Sequence, residues 1–457
     1  MIRTIAAGAC FLREKSAYCS AVASEIATPE PWNPERRELL ERWIRHAGGN
    51  GGKSAFLTRL AAEGIEERTL QCLLSSENGA GFEEPLPEWA VRLQKILEPS
   101  SSEEEGASIP ADSEPLFTAL KPFLLFAARA LREHLGKERE DTCLPASVHD
   151  ELLAGLAKRL MRIGEKTYRA EIHRRLAVAY PLQIILGRPP AQEITTTEAK
   201  RLAADLRTGG WFDLLRTYPV LGRRLSETTG DWVTYTVELL DRLKKDCYEL
   251  EQVFSISPSI AALSGMETDA SDPHNGGRAV AVLRWKTGER LVYKPRSGGI
   301  DQAWRRWIAW VESAGLPCCP VPAALDKGDY CWVEYLTPRP LSDKEDAELF
   351  YHRSGVLLCI FYVLGANDFH MENMIAQGSY PVPVDLETLL VHRFQPFVQE
   401  DEGTGAAREA LRMLVDSVLH IGLLPIWVTD GRGNAEDISG LTGFAPRGSN
   451  LPVLEGR

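Results

Sequence analysis

The sequence predicts an α+β protein: a largely helical N-terminal half, then a two-lobed region of strands and helices. Apolar residues recur at three and four positions through the first half. After Gly265 short β-prone runs alternate with turn residues. A long apolar helix then leads into a polar loop and a short strand. The expected organisation is a helical region over 1–97, a flexible acidic Ser/Pro-rich loop over 98–115, a second helical region over 116–264, and a mixed region over 265–457 that carries the site.

Arg36 to His46 and Lys53 to Leu74 have helical spacing, interrupted by Gly48-Gly49-Asn50-Gly51-Gly52. Glu98 to Pro115 holds too few large apolar residues to offset its ordering entropy. Leu153, Leu156, Leu160 and Ile163 form an amphipathic stripe. Asp231 suits the N-cap of a helix burying Val233, Val237, Leu240, Leu243, Cys247 and Leu250. Ala279 to Trp285 and Arg290 to Tyr293 form a hairpin across Lys286-Thr287-Gly288-Glu289. Asp301 to Ala314 is a Trp-rich helix, and Val321 to Leu325 pairs with Tyr330 to Tyr335. Ser342-Asp343-Lys344-Glu345 is a capping box that opens a helix to about Leu364.

The chain has 457 residues, room for two or three domains, and 44% of them are hydrophobic. Its 52 basic against 64 acidic side chains give a net charge of −12, a poor match for nucleic acid. Nine scattered cysteines, with one vicinal pair at Cys318-Cys319 and no C-x-x-C, suit a reducing compartment and offer no clustered zinc ligands. Thr4 to Leu12 lacks the form of a secretory signal, and no run approaches the ~20 apolar residues of a membrane span. A cytoplasmic protein without a transmembrane segment is expected.

Three segments follow the order of a phosphoryl-transfer site: Leu291-Val292-Tyr293-Lys294, Asp368-Phe369-His370-Met371-Glu372-Asn373, and Val384-Asp385-Leu386-Glu387. A kinase catalytic loop sets its substrate-facing Asp five positions before a metal-binding Asn, with a second metal-binding Asp after a nearby strand. Asp368 and Asn373 have that separation, and Asp385 follows Pro381-Val382-Pro383-Val384. Lys294 ends a strand, as a phosphate-contacting lysine does. Asn373 and Asp385 are hard oxygen ligands for Mg²⁺. Asp368 orients or accepts the proton of an attacking hydroxyl. His370 reaches the same phosphate or the base, and Glu387 assists the metal or fixes the loop. Glu312 is an acidic partner for Lys294 on the Trp-rich helix. Taken singly, such Asp, His and Asn residues cap loops, and Lys294 alone is an ordinary strand end. Their ordered combination carries the chemistry, and the element order is that of a two-lobed kinase-like fold. Ser271-Asp272-Pro273-His274-Asn275-Gly276-Gly277 reads as a turn before the hairpin. It is not a G-x-G-x-x-G loop, which counts against an ordinary protein kinase.

Ser271 to Val280, Leu291 to Ser297, Asp368 to Asn373 and Tyr380 to Thr388 resemble the dehydratase domain of class II (LanM-type) lanthipeptide synthetases. So do Tyr330-Cys331-Trp332-Val333-Glu334 and Asp437-Ile438-Ser439-Gly440-Leu441. The resemblance implies a lipid-kinase-like dehydratase fold with added elements for elimination and leader binding. It further implies an enzyme that uses ATP and Mg²⁺ to phosphorylate Ser and Thr of a ribosomally made precursor peptide with a leader and a Ser/Thr/Cys-rich core. Phosphate elimination then leaves dehydroalanine or dehydrobutyrine. Lys294, Asp368, His370, Asn373, Asp385 and Glu387 match the family's phosphorylation residues. Asp272 and His274 match an Asp-x-His pair linked to elimination. The family's zinc-dependent cyclase half has no counterpart here, and its downstream Arg and Thr of elimination fall beyond Arg457. A C-terminally truncated chain, or one completed by a separate cyclase or C-terminal chain, is therefore expected. On that reading Leu411, Leu414, Val415, Val418 and Leu419 are left exposed. The alternatives are a chain that only phosphorylates, and a non-catalytic remnant that binds the leader peptide or a cyclase.

Overall fold

The structure, a computed structural model, describes residues 2–9, 38, 40–42, 44–45, 52–62, 86–98, 115–136, 144–186, 192–316, 319–390, 405–429 and 435–442. Nearly all of the expected loop over 98–115, and the expected helical pattern from 63 to 74, lie outside the described residues. Long helices and small antiparallel sheets are combined, an α+β composition. Among the described residues no helix is long and apolar enough to cross a membrane. The chain divides into two compact units, Met1–Arg242 with Pro273–Arg278, and Leu243–Asp272 with Ala279–Arg457.

The first unit is helical. Ala146–Ala179 buries Leu153, Leu156 and Leu160, the stripe read from the sequence. Lys121–Leu135 carries Pro122 in its first turn, where the missing N–H costs nothing. Its Phe123 meets Trp211 edge-on at 5.2 Å, and Trp211 Nε1 donates to the Ala119 carbonyl at 3.0 Å. A buried indole thus keeps its hydrogen bond. Pro219–Phe254 is one unbroken helix, so Asp231 lies within it and caps nothing. Leu240, Leu243 and Leu250 are buried as expected, but Cys247 is exposed, because the buried stripe of so long a helix drifts around its axis.

The second unit is built on a five-stranded antiparallel sheet in the order β1-β2-β3-β5-β4. Its strands are β1 (Leu263–Glu267), β2 (Ala281–Trp285), β3 (Arg290–Lys294), β4 (Ala324–Asp326) and β5 (Cys331–Glu334). In β2, Ala281, Leu283 and Trp285 are buried and alternate with half-buried residues, the period of a one-sided sheet. The β2–β3 turn is the predicted one, with Gly288 at φ +100°. Tyr293 and Trp332 face each other across β3 and β5, their rings 5.0 Å apart. The Trp-rich helix is Gly299–Ser313.

Helix Lys344–Val363 precedes the hairpin of β6 (Met374–Gln377) and β7 (Tyr380–Pro383). Its cap is one residue later than the sequence box. Asp343 accepts from the Asp346 N–H at 2.9 Å, and Asp346 accepts from the Ser342 N–H at 3.1 Å. A short pair, β8 (Trp427–Thr429) and β9 (Ala435–Asp437), follows. Trp304, Ile308, Leu357, Phe361, Phe369, Met374, Leu386, Ile421 and Leu423 form one core. Of the apolar residues expected to be exposed, Leu414 and Leu419 are, while Val418 packs against this core. The side chain of Leu411 is outside the described set.

Candidate active site

The loop 367–373 is fixed by what it buries. Phe369 is fully enclosed and stacks on Phe361, with ring centroids 3.9 Å apart at 14°. Asp368 adopts φ +65°, a left-handed conformation that costs a non-glycine residue on the order of 1–3 kcal/mol when imposed by its surroundings. Those surroundings are explicit. The Phe369 N–H donates to the Ile421 carbonyl at 2.8 Å, and the Met371 N–H to Ile438 at 3.1 Å. Thr388 Oγ1 donates to the Asn367 carbonyl. His370 also bridges Ser439. The Asp437–Leu441 motif is therefore a brace for this loop. Gly422 and Gly440 lie against the Phe369 backbone, and a Cβ on Gly440 would collide with the Phe369 carbonyl oxygen. Asp437 holds the brace through Oδ1, which accepts from the Ile426 and Ser439 N–H groups at 3.1 and 3.0 Å.

Within the loop the polar groups orient one another. The Glu372 N–H donates to His370 Nδ1 at 3.2 Å, so Nε2 bears the ring proton of the neutral imidazole. Nε2 lies 3.5 Å from Asp368 Oδ1. Asn373 Nδ2 donates to the Asp368 carbonyl at 2.8 Å. That commits the amide nitrogen and reserves Oδ1, the atom of Asn able to ligate a cation. The Val384 N–H donates to the Asn373 carbonyl at 3.0 Å, extending the β6–β7 pairing by one step. Asn373 and Asp385 thus lie at the same end of one hairpin.

Lys294, at the end of β3, is buried with two partners. Its Nζ donates to the Val384 carbonyl at 2.8 Å and reaches Asp301 Oδ1 at 3.2 Å. A hydrogen-bonded path therefore runs from Lys294 through Val384 and Asn373 to Asp368. The acidic partner is Asp301 and not Glu312, which is exposed at the far end of the same helix. Asp301 sits in the helix's first turn, where a carboxylate is favoured by the helix dipole. Asp301 follows Lys294 by seven positions, and nothing in the sequence separates it from Glu312, the other acidic residue of that helix, as the partner. Sequence reasoning missed Arg296 too, whose guanidinium links Asp301 at 3.2 Å, Asp385 at 3.3 Å and Glu387 at 3.9 Å. The signal of Arg296 in the sequence was its place in the Leu291–Ser297 segment, two positions after Lys294. Cys331, opposite Lys294 in the register, has its thiol pushed up to about 12 by burial, with the negative charge of Asp301 adding to it.

Asp272 and His274 are exposed and fall on either side of the division between the units, His274 in the first. The His274 N–H and carbonyl pair with those of Arg278 at 2.7 and 2.8 Å across a turn of three positive-φ residues, Asn275, Gly276 and Gly277. Arg159 Nη1 donates to the Gly277 carbonyl at 2.9 Å, and Arg278 reaches Glu238 at 2.8 Å.

The donor set suits Mg²⁺. Among the described residues no three His, Cys, Asp or Glu side chains gather into a metal cluster. Mg²⁺ in nucleotide sites uses one or two protein carboxylates, with water and phosphate oxygens completing the shell. Asp385 and Asn373 supply that type and number of ligand, and Asp385 already attracts a cation in the form of Arg296.

Residues 218–455, just over half of the chain, match the family described as Domain of unknown function (DUF4135), and the chain belongs to that family. It is also 26% identical over 272 residues to the lacticin 481/lactococcin biosynthesis protein LcnDR2 of Lactococcus lactis subsp. lactis. That match covers 57% of this chain and 28% of the relative. Together the two matches bear out the resemblance to LanM-type lanthipeptide synthetases.

Proposed function

We propose that this chain phosphorylates Ser and Thr side chains of a ribosomally made lanthipeptide precursor with ATP, and then eliminates the phosphate. The observation that carries the reading is the hydrogen-bonded ensemble Lys294–Val384–Asn373–Asp368, with Asp385 beside it. It joins in one hydrogen-bonded network residues whose chemistry suits phosphoryl transfer, which supports the reading. Support for the substrate class comes from the relative's role in lacticin 481 and lactococcin biosynthesis.

Lys294 holds nucleotide phosphate. Asn373 Oδ1 and Asp385 would hold Mg²⁺, which would supply positive charge to offset that of the nucleotide phosphates. Asp368 accepts the hydroxyl proton as its oxygen attacks the γ-phosphorus and the bond to the β-γ bridging oxygen breaks, releasing ADP. The Nε2–H of His370 points the imidazole at this carboxylate and steadies it. Glu387 fixes the turn after Asp385: its N–H lies 3.3 Å from Asp385 Oδ1. In the second half a base takes the Cα proton, the Cα–Cβ double bond forms, and the Cβ–O bond breaks as phosphate leaves. Asp272 and His274 are assigned to this half. Phosphate is a far better leaving group than hydroxide, so the first half prepares the second.

The test is the intact mass of a cognate precursor peptide after incubation with the chain, ATP and Mg²⁺. Loss of water supports both halves, and a gain of phosphoryl groups alone supports the first and removes the second. No change with folded protein refutes the reading.

A further inference from the structure

Arg296 has no role in the chemistry described so far, yet its side chain is the most connected cation of the site. Nη1 lies 3.2 Å from Asp301 Oδ2, Nη2 3.3 Å from Asp385 Oδ1, and Nε 3.9 Å from Glu387 Oε2. Nη1 is also 3.4 Å from the Ser297 carbonyl. One guanidinium is shared by three carboxylates, and two of these belong to the proposed metal and nucleotide site. Lys294 differs from it. Its whole side chain is 8% exposed, and one of its bonds is 2.8 Å long. Arg296 is 25% exposed, and its contacts with the site are all 3.2 Å or longer. Each such contact is weak, so the side chain can be released at small cost.

A guanidinium and Mg²⁺ on the same carboxylate repel each other strongly across a few ångströms. A cation ligated by Asp385 therefore loosens the hold of Arg296 on that residue. The planar fork of an arginine matches two oxygens of a phosphate as well as it matches a carboxylate. A triphosphate arriving with its metal thus displaces Arg296 from Asp385 and offers it replacement acceptors in the same step.

We infer that Arg296 is an electrostatic latch: it stands in for the divalent cation on Asp385 and Glu387 until Mg²⁺ and a nucleoside triphosphate arrive together, and then transfers to the phosphate oxygens. The inference rests on the proposed nucleotide site. Its consequence is that the free protein takes up a divalent cation poorly, while the metal–triphosphate complex binds as one unit. No covalent bond changes in the exchange.

The latch makes metal and nucleotide affinities move in opposite directions when it is removed, which a merely structural role would not do. The full chain and Arg296→Gln are titrated with Mn²⁺ in the absence of nucleotide, and with a fluorescent ATP analogue in the presence of Mg²⁺. Loss of the competing charge tightens Mn²⁺ binding about tenfold. Loss of the fork weakens the nucleotide about tenfold. Arg296→Lys keeps the charge and loses the fork, so its Mn²⁺ affinity stays within about twofold of the parent while its nucleotide affinity falls. Both affinities falling together in Arg296→Gln, or neither moving, overturns the latch. Should that variant fail to fold, unchanged nucleotide affinity in Arg296→Lys overturns it as well. Absence of Mg²⁺-dependent nucleotide binding in the parent chain is a different failure: it removes the proposed site, and the latch with it.

Discussion

Replacing Asp301 by Ala tests the electrostatic logic of the site without touching a residue matched to the family's phosphorylation set. Lys294 and Asp301 are 6% and 8% exposed, so neither charge is solvated when its partner is lost. The substitution leaves the ammonium with the Val384 carbonyl as its remaining named partner. Removing one member of a buried pair costs about 3–5 kcal/mol. Arg296 recovers part of this through Asp385 and Glu387, which favours the lower end, about 3 kcal/mol. For a unit of this size that corresponds to a melting transition lowered by roughly 6–12 °C. Removing both charges in Lys294→Met/Asp301→Leu leaves no unpaired ion, and costs less than Asp301→Ala alone. Thermal and urea denaturation of Lys294→Met, Asp301→Leu and the double variant form a cycle, with a coupling of about 2 kcal/mol expected. A transition lowered by less than about 2 °C in Asp301→Ala, or strict additivity in the cycle, refutes the reasoning.

Gly440→Ala drives a methyl group into the Phe369 carbonyl; the expected result is about 1–3 kcal/mol of destabilisation and loss of phosphoryl transfer, read by urea denaturation and peptide mass. Cys331 is held protonated by burial, its pKa raised to about 12. Iodoacetamide at about pH 8 should modify the exposed Cys247 and Cys359, and reach Cys331 only after denaturation, as peptide mapping will show. Glu171 is buried, and its hydrogen bonds from Arg174, then Arg175, lower its pKa. The stability this contributes is complete above the unfolded carboxyl value of about 4.3, and is lost as pH falls through the lower folded value. Glu171→Gln therefore melts at a temperature less sensitive to pH between about 5 and 3, measured against the parent protein.

Local patterns in the sequence carried much of the fold. The β2–β3 hairpin was legible because alternating burial and a glycine turn are both short-range properties. The Trp-rich helix and the β4–β5 pair were legible for the same reason. Asp231 misled because a capping residue looks the same in the middle of a helix that starts earlier, at Pro219. Asp343 took the cap expected of Ser342, since either side chain can accept from the first turn and backbone geometry chooses between them. At the site, chain spacing singled out Lys294, Asp368, Asn373 and Asp385 as candidates. The contacts of Asp301 and Arg296 could not be read that way. They depend on carboxylates from two segments, Asp301 on one and Asp385 with Glu387 on the other, meeting one guanidinium, which sequence order does not encode. The segment Asp437–Leu441 carried no role in the sequence beyond its motif; its purpose becomes visible in the backbone bond from the Met371 N–H to Ile438 and in the close approach of Gly440 to Phe369.

The central claim is that Asp368 and Asp385 serve phosphoryl transfer to a peptide hydroxyl. It is tested most directly by presenting a cognate precursor peptide, ATP and Mg²⁺ to the parent chain and to purified, folded Asp368→Asn and Asp385→Asn, and recording the peptide's intact mass. The account predicts phosphorylated or dehydrated peptide from the parent and unmodified peptide from both variants. Undiminished modification by both variants would contradict it.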